Sequence, residues 1–369
     1  MAEQTVEGLV GRSVREVAPV ALLGLVGVGF LLDLVRKLLT GAVATSTFGT
    51  FLWEGIVFGM AIGLAGIGLA MTYSILQFAN FAHGDLITSG AFVGWSVVFV
   101  VVGLGEAAME TLVLVGGPES VIGDLEIALT ETPLGLFVGF VVAIGVTAVL
   151  ALAIDRVVFK PMREQSGIAK LIASVGVALA LRHVIQFVYQ PSTPSVVYPP
   201  AVPSTEIGLG DGSVTISAHQ VTLVVVALAL MLGVHVLLQY TKFGKAMRAM
   251  SDNEDLARVT GIPTERVVTH TWLIGGALTG AAGFLLALEQ GFLELTLGWD
   301  ILLVIFAAVI LGGIGSIYGA IAGGLTIGIV SQVSIVWIPA EFTQVAAFVI
   351  LIVVLLVRPS GIFGGVTSV

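Results

Sequence analysis

Ten long apolar segments dominate the hydrophobic pattern of this chain, at about 17–39, 54–76, 86–102, 137–155, 171–189, 219–239, 267–288, 301–313, 318–337 and 344–357. A helix needs about 20 mostly apolar residues to cross the hydrocarbon of a bilayer. The segments at 86–102, 301–313 and 344–357 are short, and the last two read as partly re-entrant. None shows the ten-residue alternation of a transmembrane barrel strand, so the pattern predicts helices. Val221–Leu238 illustrates the strength of the signal. It holds twelve Val and Leu residues, which favour insertion by roughly 4–7 kcal/mol, more than His235 opposes. The expected fold is all-α and polytopic, with about 8–10 transmembrane helices.

The polar positions set the sidedness. Arg156, Lys160, Arg163 and Lys170 cluster between two segments, and Lys242, Lys245, Arg248, Arg258 and Arg266 cluster two segments later. An even number of crossings puts both clusters on one side, which the bias of Lys and Arg identifies as the cytoplasm. Arg12, Arg15 and Arg358 then fall inside as well, so both termini are expected there. Arg36 and Lys37 fall outside, and Arg182 lies within a segment. The opposite loops are acidic, with Glu106, Glu110, Glu119, Asp124, Glu126 and Glu131 in one of them. Arg12 and Arg15 ahead of an apolar run, with Ala42-Val43-Ala44 beyond it, imitate a secretory signal. Asp33, Arg36 and Lys37 interrupt that path, so the segment reads as a retained helix. The chain therefore divides into a tail plus extra helix at 1–50 and one transmembrane domain at 51–369, which includes the loop 241–266. No fixed-period repeat is visible. Gly55, Gly59 and Gly63 have the small-xxx-small spacing of close helix packing.

Composition sharpens the class. Hydrophobic residues make up 57% and charged residues 11% of the 369, and mean hydropathy is +1.08. A soluble domain carries about 25% charged residues. The net charge of −9 and the lack of a basic patch argue against nucleic acid. There are no cysteines, which excludes disulfides, zinc-thiolate sites and thiol nucleophiles.

The most informative polar stretch is 241–266. Ser251 and Glu254 have the form of a capping box. Asp252, Glu254 and Asp255 place negative charge at the positive end of a helix dipole. Glu254 and Arg258 stand four apart in the favourable order. Gly261 is placed to end the helix in a left-handed conformation, and Pro263 prevents its continuation. These signals predict a helix of about nine residues, Ser251 through Asp252, Glu254, Asp255, Leu256, Ala257 and Arg258 to the Gly261 stop. A helix that short is marginal alone in water. It is either a surface helix that orders a loop or a handle for a partner. The chain has no G-x-x-x-x-G-K-[ST], and Gly312-Gly313-Ile314-Gly315-Ser316 lacks the lysine, so an ATPase driving transport would be another chain.

At this point the residues resemble the LivH-type permease subunits of branched-chain amino acid ABC importers, the LivH/LivM family. The match lies in Asn80-Phe81-Ala82-His83-Gly84-Asp85, Phe243-Gly244-Lys245-Ala246-Met247-Arg248, Leu311-Gly312-Gly313-Ile314-Gly315-Ser316 and Arg358-Pro359-Ser360-Gly361. It covers roughly 50–365, and the helix at 17–39 and the acidic loop at 103–136 depart from the pattern. The resemblance implies an ABC importer permease fold and passage of branched-chain, neutral aliphatic amino acids; urea and short amides are the alternative cargo. It implies no cofactor in this chain, with ATP bound by two cytoplasmic ATPases. The other partners would be a second, LivM-like permease and an extracytoplasmic binding protein, in the cell membrane. The helix at 251–261 would be the coupling helix that rests on the ATPase.

Asn80, Phe81, His83, Gly84, Gly312, Gly313 and Ser316 are candidates for the translocation pathway. Their structural alternative is a helix break, with Gly84 ending one helix, Asp85 capping the next, and Gly312 to Ser316 forming a tight turn. Arg182 either faces a wet path or pairs with a neighbour. An ion-coupled transporter would need carboxylates at mid-membrane, and Asp33, Glu54, Asp85 and Asp155 read as end positions. An intramembrane hydrolase would need a nucleophile–base pair that no spacing fixes.

Overall fold

The computed structural model describes residues 25–104, 127–189, 195–196, 202–210 and 212–363. The acidic loop from Glu106 to Glu126 and the start of the predicted first helix lie outside the described residues. The helices are α1 (25–39), α2 (Thr45–Leu76), α3 (Ala82–Gly103), α4 (Pro133–Ile154, continued by a π turn to Phe159), α5 (Gly167–Tyr189) and α6 (Ala218–Tyr240). They continue with α7 (Lys242–Asp252), α8 (Glu254–Val259), α9 (Thr264–Gln290), α10 (Leu297–Gly312), α11 (Ile317–Val333) and α12 (Thr343–Val357). Among the described residues, eight helices are long and apolar enough to cross a membrane, and α10 is a shorter apolar helix. The protein is a multi-pass, helical membrane protein. Two antiparallel ribbons complete it: β1 (Ser195–Val196) with β4 (Phe292–Leu293), and the hairpin of β2 (Ser204–Leu209) and β3 (Gly212–Ser217).

Apolarity all round marks a central helix. The candidate spans of α2, α3 and α9 are largely buried within the chain, whereas those of α5 and α12 are largely exposed. The glycine stripe of α2 packs as its spacing predicts: Gly55 and Gly59 lie against the backbone of Gly324 to Ile329 on α11. Gly276 and Gly280 of α9 do the same against Ala143 to Ala151 on α4.

These contacts belong to an inverted repeat of the kind found in transporters. The elements α2–α5 and α9–α12 follow the same plan in opposite directions. Each begins with a long central helix that ends in a left-handed residue, Gln77 (φ 54) or Gly291 (φ 74). The chain then turns back and launches a helix, α3 or α10, from inside the bundle. The next helix of each set packs along the long helix of the other. No fixed period in the sequence announces this arrangement.

The inward starts of α3 and α10 revise the predicted spans. His83 in the first turn of α3 bonds the carbonyl of Ala65, midway along α2, and Asp85 meets Arg182, past the middle of α5. The segment predicted at 344–357 crosses instead of re-entering. It follows Trp337, which bonds Asp33 of α1 at one end, and leads to Ile362 and Phe363, which donate to the Leu311 and Gly312 carbonyls at the other. Both predicted basic clusters sit at that second end, at the π turn and α4–α5 loop and at α7–α9. The β2–β3 hairpin lies at the opposite end, where Thr45 donates to the Leu209 carbonyl.

Candidate functional site

The first signature occupies the break between α2 and α3. Gln77, the one positive-φ non-glycine among the described residues, ends α2 and donates its backbone N–H to Tyr73 and its side-chain amide to Ser74. The Asn80 side chain accepts the Ala82 N–H at 3.1 Å, and the Phe81 N–H donates to Ser174 Oγ of α5 at 3.0 Å. His83 Nε2 lies 2.9 Å from the Ala65 carbonyl and must carry the proton there, which leaves Nδ1 facing Thr279 Oγ1 at 3.5 Å. The Phe81 ring packs on Phe306 at 5.2 Å. Asn80 and His83 are buried, and each side chain is engaged with protein. Contrary to expectation, Gly84 lies inside α3 and ends no helix. A Cβ there would stand 2.8 Å from the Gly298 carbonyl oxygen, so its role is the close crossing of α3 and α10. Thr88 fixes the same crossing by accepting the Gly298 N–H at 3.0 Å.

Asp85 does not cap a helix. It is fully buried in the first turn of α3 and takes two hydrogen bonds from Arg182, Nε at 3.1 Å and Nη2 at 3.3 Å. The guanidinium carbon lies 4.7 Å from the centre of the Trp299 ring on α10. This cluster joins three elements far apart in sequence. Its one sequence signal was a pair of opposite charges in otherwise apolar segments.

The other pathway candidates lie elsewhere. Gly313 (φ 110) and Gly315 (φ 84) form the tight turn between α10 and α11 at the basic end. Ser316 caps α11 by accepting the Gly319 N–H at 3.0 Å, and Gly312 meets the Gly319 backbone. The structure therefore does not bring Gly312, Gly313 and Ser316 together with Asn80, Phe81, His83 and Gly84.

The loop at 241–266 differs from its prediction in one respect. Helix α7 is amphipathic, buries Met247 and Met250, and runs on through Ser251 and Asp252. Ser251 is thus a last-turn residue and no capping box forms. Asn253 caps α8 instead, its side chain accepting the Leu256 N–H at 2.9 Å. Asn is as good a cap as Ser, and moving the break to 253 lets α7 bury its second methionine. Helix α8 is consequently six residues, with Glu254 and Asp255 in its first turn. Its end matches expectation: Gly261 (φ 86) donates to the Arg258 carbonyl and Ile262 to that of Ala257, the paired bonds of a Schellman motif. Arg258 meets Glu254 at 2.7 Å. Ala257 is buried, whereas Leu256 is 59% and Val259 81% exposed. Two apolar side chains are thus presented outward on a helix fixed at both ends.

An ion network beside α8 ties the first turn of α9 to the π turn and the α4–α5 loop. Asp155, buried at the π turn, pairs with Arg163 at 3.0 Å; Arg163 reaches Glu265 of α9 at 3.0 Å, and Lys160 reaches Glu265 at 3.2 Å. A cavity of about 370 Å³ opens among Lys160, Arg163, Lys170, Glu254 and Arg258. Among the described residues, no group of three His, Asp or Glu side chains could hold a metal ion.

Comparison with known proteins adds a separate line. Residues 51–357 match the family model described as branched-chain amino acid transport system / permease component. The chain is 30% identical over 316 residues to the high-affinity branched-chain amino acid transport system permease protein LivH of Escherichia coli K12, covering 85% of this chain and 94% of that one. It is 29% identical over 314 residues to BraD of Pseudomonas aeruginosa, covering 84% and 94%. It is also 29% identical over 316 residues to a probable LivH of Methanocaldococcus jannaschii, covering 84% and 90%. No solved structure matches.

Proposed function

We propose, from the premise that this chain belongs to the branched-chain amino acid transport system permease family, that it forms the membrane pathway of an ATP-driven importer of neutral aliphatic amino acids. The observation that carries the ATP-driven part is α8. A six-residue helix stopped by Asn253 and Gly261, with Leu256 and Val259 exposed, has the form of a rigid handle for a separate ATPase. Rigidity matters because a push delivered at α8 then passes through the Gly261–Pro263 turn into α9, whose Glu265 is tied to Arg163 and Lys160 of the α4–α5 loop. Residues Asp252 to Gly261 form this docking element, and Ser251 supports it as the last turn of α7.

The basic end faces the cytoplasm, since Lys and Arg collect there. On this reading both chain ends, ahead of α1 and beyond α12, also lie on the cytoplasmic side. Two cytoplasmic ATPases bind the nucleotide, and this chain binds none. A second, LivM-like permease faces α5 across the pathway, since the exposed His183 and Gln186 are unsuited to lipid. An extracytoplasmic binding protein delivers substrate at the β2–β3 end.

Uptake of labelled leucine, valine and urea by cells with and without the gene, before and after ATP depletion, tests this reading. Gene-dependent, ATP-dependent entry of leucine and valine is expected. Entry of urea alone would reassign the cargo, and entry that survives ATP loss but follows an ion gradient would refute the importer.

A further inference from the structure

The Arg182 cluster is built as a site and not as a closed ion pair. Asp85 engages one edge of the guanidinium, through Nε and Nη2. Trp299 covers one of its faces. Arginine has five N–H donors in a planar fork, and its end-on edge matches a carboxylate. Nη1 on that edge has no protein partner among the described residues, and the side chain is 19% exposed while Asp85 is fully buried. Trp299 is exposed beside it at the start of α10, where the next residue, Asp300, is exposed too, and His183 and Gln186 are exposed along α5. A charged, aromatic and amide-bearing face deep within the spans is costly against lipid and marks a substrate route.

We infer that Arg182 is the mid-membrane contact for the carboxylate of the transported amino acid, positioned by Asp85 and Trp299, with Asp300 offering the opposite charge to the ammonium group. The inference rests on the importer reading above and narrows its cargo to zwitterions. Urea and short amides have no carboxylate to present to this edge. The Asp85 charge serves a second purpose. It offsets the arginine, so a passing carboxylate is held weakly enough to leave, as a conducting site requires.

The complete transporter, with both permeases, the ATPases and the binding protein, is reconstituted in proteoliposomes and supplied with labelled leucine and internal ATP. Rates are normalised to assembled complex. Loss of one charge-assisted contact in Arg182→Gln should slow uptake roughly tenfold or more. Arg182→Lys, which keeps the charge but not the fork, should fall between the two. The double variant Asp85→Asn/Arg182→Gln separates site from scaffold, because it leaves no unpaired buried charge. The inference predicts that uptake stays low in this variant. Recovery to the wild-type rate would overturn it, since that outcome means the pair serves only to neutralise itself. Wild-type transporter that moves leucine without ATP would instead refute the importer reading, whatever the variants do.

Discussion

Replacing Leu256 and Val259 of α8 with alanine should loosen the ATPase without disturbing the permease. The magnitude follows from exposure. Burying a whole Leu or Val side chain contributes about 1.5–3 kcal/mol. Leu256 has 59% of its surface available to a partner and Val259 81%. Scaling gives about 1–2 kcal/mol for each and about 2–4 kcal/mol together, a weakening of roughly 30- to 1,000-fold. The folded permease should lose little, because exposed substitutions usually stay within about 0.5 kcal/mol. Co-purification of the ATPases across a concentration series measures docking, and thermal inactivation of the detergent-extracted permease measures stability. Undiminished docking in the double variant would refute the reasoning, as would a drop in permease stability that accounts for the loss.

Further outcomes follow from the same geometry. Asn253→Ala should destabilise α8 by about 1 kcal/mol, read as faster hydrogen exchange at residues 254–260, whereas Ser251→Ala should leave that exchange unchanged. Arg163→Ala strands the buried carboxylate of Asp155 and should cost about 3–5 kcal/mol, seen as a lowered thermal midpoint in detergent. Glu265→Ala removes an exposed partner of the same network and should cost under about 1 kcal/mol in that measurement. Gly84→Ala forces a Cβ against the Gly298 carbonyl and should cost about 1–3 kcal/mol. Gly145→Ala on α4 meets nothing within 4 Å and should be neutral or stabilising in the same assay.

Legibility in the sequence followed range. Apolar runs located nearly every span, because bilayer crossing is a local property of about twenty residues. The Gly261–Pro263 stop and the Glu254–Arg258 pair were equally local, and both formed as read. Ser251 misled because two good caps stood two residues apart, and the burial of Met250 near the end of α7 decided between them. The start of α3 was read at the wrong depth. Its inward placement depends on Ala65 and Thr279, residues of other helices that no nearby pattern announces. The meeting of Asp85, Arg182 and Trp299 was hidden for the same reason, as was the inverted repeat, which rests on contacts between distant helices.

The chain has no cysteine, so Val259→Cys places a single thiol at the tip of α8. In sealed cells and in inside-out vesicles, a membrane-impermeant maleimide should label it only in the vesicles, and bound ATPase should protect it. Labelling from the cell exterior, or full labelling in the presence of saturating ATPase, would contradict the account.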